Sequence, residues 1–333
     1  MNRPPEQYIL VREERLLVFV QACFEQVGLE AEHAALISRL LVNADLRGVR
    51  SHGSRNTHGY CTAFAQGQLN PRPQIRLVHQ NPTTAVIDGD GTLGYLPMVR
   101  AAEEAVARAK QFGLGMGLVR CIGHYGSAGH YTRICLEQGC IGFSVQGWRG
   151  EGNAHGRQIK PSVAFSGNPP LCFAMPAGEE PAVVLDTGTN IFGAYNYPEF
   201  EDLKTRVPAA FFKSIGYIAV ATLVGGALTG YSLPRGDEVE ARWGAARMGG
   251  MVLAIDVAAA VDPEVFAAEA DRYIRDIRET HAPMPGTDQA LLPGAVEEEM
   301  MARYRREGIH FGEPEQESIR AAHQQFGVSL PWD

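Results

Sequence analysis

Ser51 and His52 stand side by side in the stretch ADLRGVRSHGSRN, residues 44–56, with Arg47, Arg50 and Arg55 around them. A hydroxyl, an imidazole and several guanidinium groups on one loop could hold a small carboxylate and exchange a proton with it. The same residues also fit a helix end whose basic groups meet the C-terminal dipole, followed by an ordinary polar loop. A second cluster, CIGHYGSAGHY at residues 121–131, puts His124 ahead of Gly126, Ser127, Ala128 and Gly129. Small residues at a helix start let backbone N–H groups approach a phosphate or pyrophosphate. They equally serve a tight strand-to-helix turn whose glycines only pack. The six cysteines show no CxxC spacing, and no HxxxH or HExxH occurs. The cysteines therefore read as small buried hydrophobes in a reducing compartment, and no metal site is expected.

The elements that must position these groups follow from apolar spacing. Leu16, Val20, Cys23, Phe24 and Val27 predict a helix that stops at Gly28, and Leu36, Ile37, Leu40, Leu41 and Ala44 predict a second. The second helix delivers the chain to Ser51-His52. TTAVIDG at residues 83–89 predicts a strand, and Met98 to Phe112 a third amphipathic helix. Strand-like runs then recur at GMGLVRCI, CIGFSVQ, LCFAMP, PAVVLDT and GMVLAID, with few helices between them. That spacing is not βαβ alternation, and no GxGxxG lies between a strand and a helix, so no Rossmann fold is expected. YIAVATLVGGAL, residues 217–228, predicts a buried central helix, and helices return near the C-terminus.

At 333 residues, with 45% apolar and 20% charged residues, the chain is long enough for two globular domains. The expected architecture is α/β. A discontinuous helical domain (1–80 and 260–333) carries the Ser-His loop, and residues 81–259 form a β-rich domain. A formal net charge of −8 without a basic stripe excludes nucleic acid as the main partner. No window is expected to reach membrane-spanning length without polar interruption, and the N-terminus lacks a signal-peptide core, so a cytoplasmic protein is expected.

The series ADLRGxxSHG, HYGSAG, GNP at 167–169, VLDTGT, Lys213, AIDxxxxxDPExF and LPG at 292–294 runs in one order along the chain. It closely resembles the type-2 malate/L-lactate dehydrogenase family, which includes ureidoglycolate, sulfolactate and diketogulonate oxidoreductases and cyclic-imine reductases. The resemblance implies a β-rich non-Rossmann domain binding NADH or NADPH, a homodimer, and reduction of a 2-oxo acid or cyclic imine. It makes His52 the proton donor in reduction and the base in oxidation, supported by Ser51 and Asp186. It assigns the cofactor to His124, Tyr125, Gly126, Ser127 and Ala128, to Pro176, Ala177 and Gly178, and to Lys213, Pro293 and Gly294. An imidazole titrating near neutrality can serve both directions of such a reaction.

The chain departs from the family pattern at several places. Asn56 stands where an arginine grips the substrate carboxylate, so either Arg55 or Arg50 replaces it or the substrate has no carboxylate there. Gly123 replaces an asparagine and Gly167 a threonine, Gly250 ends a changed RMGG segment, and AFFKSIGY brings Phe211, Phe212 and Ile215 into a glycine-rich stretch. That bulk is expected to narrow a ligand space. Three readings follow: an active reductase with a rebuilt pocket, a protein using Ser51-His52 for non-redox chemistry, or a non-catalytic binding protein.

Overall fold

The computed structural model describes residues 4–148, 168–190, 202, 205–283 and 287–332. Gly167, one of the departures above, lies outside them. Strand β1 (Ile9–Val11) leads into α1 (Glu13–Gln26) and α2 (Ala31–Leu46), as the apolar spacing predicts. Two short 3₁₀ turns, Arg50–His52 and Ser54–Asn56, then carry the chain into α3 (Thr57–Ala65). Leu16, Val20, Phe24, Ile37 and Leu41 meet in one apolar core. The C-terminal strand β9 (Ile309–Phe311) and helix α10 (Glu313–Phe326) return to it, with β9 antiparallel to β1.

The middle of the chain forms a sheet. Its strands are β2 (Arg76–Asn81), β3 (Thr84–Asp88), β4 (Leu114–Ile122), β5 (Cys140–Trp148), β6 (Pro170–Met175), β7 (Val183–Gly188) and β8 (Met248–Asp256). Their order is β2-β3-β4-β8-β5-β6-β7. The β3–β4 pair is parallel, crossed over by α4 (Tyr95–Phe112), and every other neighbouring pair is antiparallel. This agrees with the absence of βαβ spacing in the sequence. Alternate residues face opposite sides. Val119, Val252, Ala254, Cys172 and Val184 pack under α4 and α5 (Gly129–Leu136). Leu118, Val145, Leu171 and Met251 face the other way, toward α6 (Pro208–Val224). Gly117 has no substitute, since a Cβ there would run into the Ala101 carbonyl of α4.

Helix α6 corrects two expectations. It buries Phe211, Ser214, Ile218 and Ala221 against the sheet, but Phe212 is 79% and Leu223 62% exposed. The apolar run is therefore a surface helix with one buried stripe, not a buried central helix. The stretch Pro208–Thr229 is also long and apolar enough to cross a membrane by length and composition alone, with Lys213 as its one charged interruption. Phe212 points outward and narrows no space formed by the described residues. Helices α7 (Pro234–Arg242), α8 (Pro263–Thr280) and α9 (Ala295–Glu307) complete the chain.

Candidate active site

Asp45, in the last turn of α2, organises the loop that carries the Ser-His pair. Its carboxylate accepts the Ser54 N–H at 2.8 Å. Gly53 leaves the necessary room, because a Cβ at that position would collide with the Asp45 carboxylate. Burial raises the Asp45 pKa from 3.8 to about 7, against the lowering effect of its bonds to Ser54. Helix α10 holds the same loop from outside. Arg50 donates from Nε and Nη2 to the two carboxylate oxygens of buried Glu315, at 3.1 and 2.5 Å. Ser318 Oγ donates to the Arg55 carbonyl, and the Arg55 guanidinium lies 3.8 Å from Glu315. Asn56 Nδ2 donates to the carbonyls of Ser51 and Gly53, each at 3.0 Å. Of the three residues expected to bind substrate, Arg50 and Asn56 are thus bonded within the loop's own support. Arg55 is 41% exposed beside the same carboxylate.

This scaffold presents His52 beside His124. Their rings stack with centroids 5.8 Å apart and planes 22° from parallel, and Ser51 Oγ lies 2.9 Å from His52 Nδ1. His124 Nδ1 accepts the Gly126 N–H at 3.3 Å and lies 2.6 Å from the Tyr60 hydroxyl. A backbone N–H can only donate, so Nδ1 is the acceptor, Tyr60 donates to it, and the ring proton sits on Nε2. Burial and then the neighbouring His52 push the His124 pKa down to about 4, so it is a neutral Nε2–H donor at pH 7. The His52 pKa is also lowered, by burial, with the Asp186 carboxylate pulling it back up. Asp186 acts on His52 through its field. Its own hydrogen bonds come from the Ser127 hydroxyl and from the Gly129 N–H at 2.8 Å. The anion at the start of α5 is therefore this chain's own carboxylate, where the glycine-rich turn suggested a phosphate.

The residues expected to hold a cofactor divide into two groups. Ser127 and Gly126 lie beside Asp186 and His124, whereas the side chains of Tyr125 and Ala128 are buried in the sheet core. Pro176, Ala177 and Gly178 begin the turn between β6 and β7, and the Gly178 N–H is held by Asp271 of α8 at 2.9 Å. The Pro293 carbonyl accepts the Val184 N–H at 2.8 Å, which sets Pro293-Gly294 against the same hairpin. Lys213 stands apart. It is exposed, lies inside α6 rather than before it, and α6 packs on the sheet face opposite α5. Gly123 and Gly250 are close-packed positions, where a Cβ would press on Leu69 and on Met98 Sδ respectively.

Sequence reasoning missed Asp45, Tyr60 and Glu315. Asp45 stands within the ADLRG stretch already singled out, so an acidic residue on the apolar face of a helix was a usable signal. Tyr60 and Glu315 gave none, because their partners lie 64 and 265 residues away in sequence.

Residues 11–196 and 198–320 match the family described as malate/L-lactate dehydrogenase. The malate dehydrogenase of Pyrococcus horikoshii is 33% identical over 189 residues, which cover 56% of this chain and 50% of that protein. The chain thus spans about half the length of that curated relative. The NAD(+) ureidoglycolate dehydrogenase of Escherichia coli K12 is 24% identical over 90% of this chain and 91% of its own. Among solved structures, Pyrococcus horikoshii malate dehydrogenase superposes with a TM-score of 0.78 at 23% identity, covering 98% of each chain. The Δ1-piperideine-2-carboxylate reductase of Pseudomonas syringae pvar. tomato does so at 0.70 and 17%, over 94% of this chain and 99% of its own. At these identities the structural likeness establishes the fold.

Proposed function

The chain belongs to the malate/L-lactate dehydrogenase family, and on that premise we propose that it moves a hydride between a nicotinamide cofactor and a small 2-oxo/2-hydroxy acid or cyclic imine. The observation that carries this reading is the pair of stacked imidazoles, one able to titrate and the other held neutral. When bound, NADH or NADPH would supply the hydride in reduction, and its oxidised form, NAD+ or NADP+, would accept it in oxidation. The chain's own groups then handle the charge that transfer creates. His124 Nε2–H offers a fixed donor to a carbonyl oxygen or imine nitrogen, and His52 delivers the proton in reduction and removes it in oxidation. Ser51 orients the His52 ring, and Asp186 favours its protonated form.

Unpartnered buried polar atoms support a cofactor at this end of the sheet. Among the described residues, Trp148 Nε1 at the end of β5 and Thr189 Oγ1 just past β7 have no hydrogen-bond partner. Such atoms suit a ligand rich in amide, hydroxyl and phosphate groups. Gly126 and Ser127 would hold it there, whereas Pro176–Gly178 and Pro293-Gly294 lie toward the opposite end of β6 and β7 and would meet only a more distant part of it. Lys213 would join them only across the sheet edge or from a second copy of the chain.

The test is nicotinamide fluorescence on mixing the purified protein with NADH and, separately, NADPH. Enhanced or blue-shifted emission with at least one is expected, followed by turnover in a screen of 2-oxo acids and cyclic imines. No binding of either at millimolar cofactor would overturn the reading in favour of non-redox Ser-His chemistry.

A further inference from the structure

Arg47, which follows α2, and Arg133 of α5 face each other across a cleft of about 120 Å³. Asn43, Ser127, His130 and Glu137 also line it. A single carboxylate, Glu298 of α9, lies between the two guanidiniums. It is 3.2 Å from Arg47 Nη2 and 4.0 Å from Arg133 Nε. The arginine side chains are only 15% and 18% exposed, whereas Glu298 is 42% exposed. Among the described residues, Arg47 Nε, Arg133 Nε and His130 Nε2 are all buried without a hydrogen-bond partner. The arginines also disfavour each other: the Arg47 pKa is lowered by burial and then by Arg133.

Two buried cations sharing one half-exposed carboxylate leave an excess of positive charge and unused donors. The other acids nearby do not relieve it. Asp186 is bonded to Ser127 and Gly129, and Glu137 is exposed at the rim. The cleft also abuts the imidazole pair, since Ser127 bonds to Asp186 and the charge on His52 reaches His130. We propose that this cleft, not the Arg50–Arg55 loop, receives the carboxylate of the substrate, with Arg47 and Arg133 as its donors. The guanidinium fork suits a planar carboxylate, and Arg50 is already bonded to Glu315. The anion site stands on the cleft itself. Calling its occupant the substrate rests on the oxidoreductase reading above.

Oxalate, the smallest dicarboxylate, separates the two claims because its binding needs no turnover. Calorimetric titration of the full chain is expected to detect oxalate binding, and Arg133→Met to weaken it by about tenfold or more, the worth of a charged hydrogen bond. Arg133→Lys should retain part of that affinity. Glu298→Gln frees both guanidiniums and should tighten binding several-fold, an outcome that a merely damaged fold would not produce. In the turnover assay Arg133→Met should raise KM for the oxo acid while the Kd for NADH and NADPH stays within about twofold. Absence of oxalate binding, or affinities unchanged in both Arg133→Met and Glu298→Gln, overturns the proposal. So does a loss at Arg133 that falls on NADPH alone, which would assign the cleft to a cofactor phosphate. If no oxo acid is turned over but oxalate responds as expected, the anion site stands and the oxidoreductase reading fails.

Discussion

At the scale of single residues, the imidazole pair divides its labour by environment. Both rings lose pKa to burial, but His52 has Asp186 to raise it, while His124 has a second imidazole and falls to about 4. On the proposed function, a group that gains and loses a proton is thereby separated from one that stays a fixed donor. Because the His52 pKa lies below 6.5, its protonated fraction declines as pH rises through that lowered value. kcat/KM for reduction should fall across that range and kcat/KM for oxidation should rise. Asp186→Asn removes the charge that raises it, so both limbs should move to lower pH. His52→Ala should cost about 100-fold or more in turnover, with nicotinamide fluorescence unchanged. Steady-state pH profiles of the three proteins check this. An unshifted limb in Asp186→Asn would remove Asp186 from the field around His52, and activity of His52→Ala within a few-fold of wild type would remove His52 from proton transfer.

At the scale of elements, the Ser51-His52 loop is a short irregular stretch held by a helix from the far end of the chain. Glu315 of α10 is 1% exposed and bonds Arg50, the Gly312 N–H and, more distantly, Arg55. Glu315→Gln leaves the Arg50 guanidinium without its counter-charge. It should cost about 3 kcal/mol of unfolding free energy, the low end for breaking a buried pair from one side. Urea unfolding measures that loss, and kcat should drop with it as the loop slackens. A variant within about 0.5 kcal/mol of wild type would show that α10 does not brace the loop. This clamp also marks the limit of what a sequence discloses. α1, α2, α4 and strands β3 to β8 were legible because apolar spacing encodes them locally, whereas the mostly exposed edge strand β2 gave no such signal. Ser51-His52 and His124 were legible because each sits in a short motif. The Arg50–Glu315 and Tyr60–His124 contacts, and the facing of Arg47 with Arg133, arise only when distant segments fold together. The arginines of the loop suggested a carboxylate grip for that reason: their spacing was visible and their partners were not.

At the scale of the whole molecule, α6 poses the remaining question, since its composition suits a core and its setting is a surface. Phe211, Ser214, Ile218 and Ala221 meet the sheet, leaving Phe212, Ile215 and Leu223 as an outward stripe at helical spacing. Such a stripe on one monomer is the kind of surface a second copy covers. In a two-fold dimer the same patch meets itself, so each exposed apolar residue is buried twice. Occlusion by a partner would also explain why a helix containing only one charged residue, Lys213, needs no polar outer face. The chain is expected to run as a dimer in size-exclusion chromatography with light scattering. The double change Phe212→Glu and Leu223→Glu places four buried carboxylates in the interface and should yield a folded monomer, with circular dichroism unchanged. A wild-type monomer would exclude self-association through this face. If that monomer also sediments with phospholipid vesicles and the double variant does not, the stripe faces lipid instead, as the hydropathy of residues 208–229 allows.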